Sequence, residues 1–103
     1  MSTSRIELFT QMLANDPANT AIMFGLAKEL EKVGQDEQLV DVLKSYLAVS
    51  DDQGNAFGML ASAYERLGKR EDAKQAYELG IEAALRHGHP GMAEEYRMTL
   101  NSL

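Results

Sequence analysis

Cysteine is absent from the 103 residues. That excludes disulfides, thiolate metal sites and cysteine nucleophiles, and it fits a reducing compartment. Long apolar runs are also missing; none approaches the roughly 18 residues that span a bilayer. The opening Met1-Ser2-Thr3-Ser4-Arg5 lacks the apolar core of a signal peptide. The expectation is a cytoplasmic chain with no membrane partner. Positive charge is scarce: ten Lys and Arg face sixteen Asp and Glu, for a net charge of −6. A general nucleic-acid binder needs a basic stripe to neutralise phosphates, so that class is excluded. The acidity is uneven, with nine acids against four bases in residues 1–52 and seven against six in 53–103. A solvated acidic face accounts for it; a basic partner docking on the first half is the alternative. No Gly-rich phosphate loop, nucleophile elbow or triad pattern occurs, so neither an enzyme nor a cofactor is expected. The length predicts one domain, 1–103.

What the chain does contain is a 34-residue period. Met23 recurs as Phe57, Leu26 as Leu60, Ala27 as Ala61 and Leu30 as Tyr64. Gly34 recurs as Gly68, Leu39 as Ala73 and Leu43 as Tyr77, with no gap. A fixed period of this size signals stacked supersecondary units. Met23, Leu26, Ala27, Leu30 and Val33 follow i, i+3, i+4, i+7 spacing and share one helix face. Phe57, Leu60, Ala61, Tyr64 and Leu67 repeat that face. Gly34 and Gly68 are placed to close these helices in the left-handed conformation. Asp36 and the Glu71–Asp72 pair put anions at the next helix start, where the dipole favours them. Ala27, Ala61 and Gly80 are small where helices must approach closely.

The pattern predicts six helices and no strand. They run over about 4–14, 18–33, 36–49, 53–67, 70–87 and 91–101. Ser4 with Glu7 three residues later forms a capping box for the first, which buries Ile6, Phe9, Met12 and Leu13. Asn15-Asp16-Pro17 and Ser50-Asp51-Asp52 are turns, the latter with oxygens to cap a helix. His87-Gly88-His89-Pro90-Gly91 breaks the chain. The last helix carries Met92, Tyr96 and Leu100 on one stripe and charges opposite, as a polar-backed cap.

The second copy, Phe57-x-x-Leu60-Ala61-x-x-Tyr64, Leu67-Gly68 and Ala73-x-x-x-Tyr77, resembles the tetratricopeptide repeat. The first copy keeps the sizes and loses the aromatics. Pro17 stands where the family places a closing proline. Tyr46 fills a slot where the family prefers a small residue, and Leu85 stands where a second closing proline would be. The resemblance implies an all-α solenoid of antiparallel helix pairs: repeats at about 20–53 and 54–87, an N-terminal half-repeat helix and a C-terminal capping helix.

Candidate chemistry is sparse. His87-x-His89 offers two metal ligands and no third nearby, so no metal is expected. Asp51-Asp52-Gln53-Gly54-Asn55 opens like a calcium loop but has Ala56 at the sixth position and Ser62 at the twelfth. A helix-capping cluster is the expectation. Glu94 and Glu95 are adjacent on a helix and cannot face one site. Glu29, Glu31, Glu65 and Glu78 are expected as solvated charges.

In the family, the first helix of each pair lines a concave face. Carried over, the resemblance implies a peptide-binding face holding Phe24 and Lys28 from one pair and Asn55, Met59, Ser62 and Arg66 from the next. The Lys and Asn pattern of the carboxylate-clamping members is absent, so that ligand is not inherited. Gly25 and Gly58 lie inside these helices, at about 1 kcal/mol each relative to Ala. They either let a ligand backbone approach or have no role. Met59, turned off the buried stripe, is either a binding residue or a lone exposed side chain. The expected function is a non-catalytic adaptor for a protein or peptide. The alternative is self-association, a weak homodimer through the terminal half-repeat helix.

Overall fold

The computed structural model describes the backbone of residues 2–103 and side chains from Arg5 onward. Among the described residues there are six helices and no strand. They are α1 (Ser2–Asn15), α2 (Thr20–Val33), α3 (Asp36–Val49), α4 (Asn55–Arg66), α5 (Arg70–Arg86) and α6 (Pro90–Ser102). Helices α1 to α3 pack consecutively on one another, and so do α4 to α6, as in an α-helical repeat array. The chain divides into two compact units, Met1–Ser50 and Asp51–Leu103.

In the first unit α2 packs against both α1 and α3. Its Met23, Leu26, Ala27 and Leu30 are buried, and α3 answers with Leu39, Val40 and Leu43. Both helices place these residues at helical spacing, so one apolar stripe of each is removed from water. Asn19 starts α2: its Oδ1 accepts from the Ile22 N–H at 3.1 Å, which moves the start two residues past the predicted 18. Gly34 ends it at φ 73°, and Gln35 N–H then reaches back to Leu30 O at 3.1 Å.

Three expectations for this unit are corrected. Met12 and Val33 are exposed (38% and 40%), not core. Each lies in the last turn of its helix. Glu29 is not a solvated charge: it is 5% exposed, with Arg5 Nε at 3.7 Å and Lys32 Nζ at 3.3 Å. A buried carboxylate needs such partners, because desolvation alone costs several kcal/mol. The proposed Ser4 cap lies outside the described side chains; the helix backbone itself begins at Ser2.

The second unit packs α5 against α4 and α6. Its buried residues are mostly small: Ala56, Ala61 and Ala63 on α4, Ala73, Ala76, Gly80, Ala83 and Ala84 on α5, and Ala93 on α6. Leu60 and Tyr77 are the large members of this core. Such short side chains let helices approach closely, and rings fill the remaining space. Gly80 is an instance: a Cβ there would stand 3.0 Å from Phe57 Cβ and 3.0 Å from Tyr96 Cε2. Gly68 (φ 74°) closes α4 as Gly34 closes α2, with Lys69 N–H returning to Tyr64 O at 2.8 Å. Asp52 opens α4. Its Oδ2 accepts from Gly54 N–H at 2.8 Å and Ala56 N–H at 2.9 Å, so this acidic loop caps a helix.

Candidate functional site

The first predicted patch lies on α2. Phe24 is half-buried and its ring stands 5.4 Å, centroid to centroid, from Tyr46 on α3. The exposed Lys28, one turn on, holds its Nζ 5.9 Å from the Phe24 centroid. That distance permits a cation–π attraction. The result is a small aromatic platform with a cation on its edge.

The second patch lies on α4. Asn55, Met59, Ser62 and Arg66 fall at i, i+4, i+7 and i+11, one stripe of the helix. Asn55 and Arg66 are exposed, while Met59 and Ser62 are half-buried. Arg66 already has an interaction within the chain. Beside this stripe the Tyr77 hydroxyl donates to Glu65 Oε2. Glu65 is therefore tied to the core tyrosine rather than merely solvated. Burial, then the hydrogen bond to Glu65, raises the Tyr77 pKa.

The two in-helix glycines are filled by the chain's own rings. A Cβ at Gly25 would stand 3.1 Å from Phe9 Cζ. A Cβ at Gly58 would stand 2.3 Å from the Tyr96 hydroxyl oxygen. The Tyr96 hydroxyl donates to Gly54 O at 2.9 Å, and its ring lies 5.7 Å from that of Tyr77. Burial first, then the Asp52 and Glu95 charges, raises the Tyr96 pKa. Each terminal helix thus seats an aromatic on a glycine within its own unit. No room for a ligand backbone remains at either position.

Sequence reasoning named Tyr46 as an oddity without finding its partner. The signal was present. Phe24 and Tyr46 stand 34 residues before Gly58 and Gly80. Two rings occupy in the first unit what two glycines leave to Tyr96 in the second.

The histidines have separate partners. His87 Nε2 is 3.2 Å from Asp51 Oδ2, and His89 Nε2 is 2.7 Å from Gln53 Oε1. Arg86 also reaches Asp51, at 3.5 Å. The His87 ring, then Arg86, holds the exposed Asp51 carboxyl below its ordinary range. Both contacts tie the end of α5 and the turn after it to the segment before α4. Among the described residues no group of three His, Cys, Asp or Glu could hold a metal. No helix among them is long and apolar enough to cross a membrane.

A gapless 34-residue period and consecutively packed helix pairs define an α-helical repeat protein. No family model matches the chain. It is 28% identical over 98 residues to the TPR repeat-containing protein PA0015 of Pseudomonas aeruginosa, covering 95% of this chain and 93% of that one. The chain thus resembles a tetratricopeptide-repeat protein over nearly its whole length. Such arrays are in general protein-interaction modules, and the relative's name points to a repeat family rather than to an enzyme.

Proposed function

We propose that this chain is a non-catalytic adaptor that binds a protein or peptide through its α2 and α4 faces. The contacts on α2 are Phe24 and Lys28. Those on α4 are Asn55, Met59, Ser62 and Arg66. The observation that supports this reading is the Phe24 platform. An aromatic ring left half-buried, backed by Tyr46 and edged by Lys28, resembles the anchors that dominate interfaces. Lys28 and Arg66 would meet carboxylates or carbonyls at the rim, and Met59 adapts its shape to an apolar side chain.

The test is to capture a partner from native lysate and measure affinity and hydrogen exchange. Phe24→Ala or Met59→Ala should weaken the partner by more than about 1 kcal/mol. Protection should fall on residues 21–32 and 55–66. Protection confined to residues 5–13 defeats the reading and favours self-association or edge binding through α1. That second reading has its own observation: Leu8 and Met12, one turn apart on α1, are 54% and 38% exposed. Light scattering against concentration separates the two, since only self-association raises the mass.

A further inference from the structure

We propose that the Met1–Ser50 unit carries a second docking surface, in the channel between α1 and α3, for an amphipathic helix bearing one basic side chain. Both helices pack on α2, and two cavities of about 210 and 240 Å³ open along the line where they flank it. Leu26 and Leu30 line the first cavity and Met23 the second. Ile6 and Leu13 of α1 wall them on one side, and Val42 of α3 walls both on the other. From Met23 to Leu30 is seven residues, about 10 Å at 1.5 Å per residue. That is the length of an i, i+3, i+7 apolar stripe on a partner helix, the usual way a helix enters a groove.

The charge in the channel decides the occupant. Asp41 lines both cavities, is exposed, and makes no side-chain hydrogen bond or ion pair among the described residues. A carboxylate at the mouth of an apolar channel favours a Lys or Arg flanked by apolar side chains. The surrounding charge agrees, because residues 1–50 hold seven acids and four bases. A second copy is a poor occupant: it would bring a net charge of −6 onto the same acidic face. This surface is distinct from the α2 platform of the proposed adaptor face, since none of its lining residues is Phe24, Lys28 or Tyr46.

The experiment uses the full chain, ¹⁵N-labelled, and two capped synthetic peptides about four helical turns long. Each carries Leu at i, i+3 and i+7, and they differ only in Lys or Glu at i+4. The Lys peptide should shift amides of Ile6, Leu13, Asp41 and Val42. Its affinity should exceed that of the Glu twin, and should fall about threefold to fivefold in Asp41→Asn, as for a part-exposed ion pair. Thr10→Trp, which fills the channel from the exposed face of α1, should abolish the shifts while leaving the circular dichroism unchanged. Phe24→Ala should leave this binding intact, so loss of the adaptor face and loss of the channel are told apart. Any of four results overturns the proposal: no shifts, shifts confined to the α2 platform, equal affinity for both peptides with Asp41→Asn silent, or a concentration-dependent dimer that protects the channel.

Discussion

Gly58→Ala should destabilise the Asp51–Leu103 unit, although Ala is the better helix former. In an open helix the exchange gains about 0.5–1 kcal/mol. Here the new methyl would stand 2.3 Å from the Tyr96 hydroxyl oxygen, 2.7 Å from Cζ and 2.9 Å from Cε1. Tyr96 cannot yield freely. Its hydroxyl is tied to Gly54 O at 2.9 Å, its ring meets Tyr77 at a tilt of 51°, and its far edge rests on Gly80. Displacing it loses a hydrogen bond of about 0.5–1.5 kcal/mol and adds overpacking of about 1–3 kcal/mol. After the helix gain, a net loss of about 1–3 kcal/mol is expected. Urea unfolding should be followed by circular dichroism and by tyrosine fluorescence, which no tryptophan obscures. Tyr96→Phe removes the nearest atom, so Gly58→Ala in that background should cost less, with a coupling of about 1 kcal/mol. Gly91→Ala is the control, because a Cβ there meets nothing within 4 Å. A stabilised Gly58→Ala protein, or strict additivity with Tyr96→Phe, would refute the claim that Tyr96 fills this glycine.

Leu60, 7% exposed at the centre of α4, should cost about 2–5 kcal/mol as Leu60→Ala; a loss under about 0.5 kcal/mol in the same urea assay contradicts the packing register. Asp52→Ala removes the acceptor of two amides at the start of α4, those of the cap Gly54 and of Ala56, and should cost about 0.5–2 kcal/mol, read as faster hydrogen exchange at Gly54 and Ala56. Raised pKa values at Tyr77 and Tyr96 mean the folded chain holds these protons more tightly than the unfolded one. Their stabilisation is whole below the ordinary tyrosine pKa near 10 and is lost as pH rises through the folded values. Urea midpoints should therefore decline above about pH 10, and Tyr96→Phe should flatten that decline; a flat wild-type profile counts against it. Stoichiometric zinc should leave the melting temperature unchanged; a rise abolished by His89→Ala would reinstate the His87-x-His89 metal site.

The sequence alone determined the helices and their faces. An unbroken 34-residue step puts Leu26 and Leu60, or Leu43 and Tyr77, on equivalent inward stripes, and local periodicity is a property of the chain itself. The glycine caps at 34 and 68 were equally legible, because a left-handed backbone turn selects the residue without reference to distant partners. The acidic capping role of Asp52 followed from its place in a short turn. What only the tertiary structure decided was which neighbour fills each gap. Phe9 on Gly25, Tyr96 on Gly58 and Gly80, and Phe24 against Tyr46 join residues many positions apart, and their pairing depends on how neighbouring helices cross. Glu29 read as a solvated charge because helical spacing does not reveal that Arg5 and Lys32 will meet it as the helix packs. No motif or spacing in the sequence singles out Asp41. Its place at a channel between α1 and α3 arises because both helices pack against α2 and leave an open channel where they flank it.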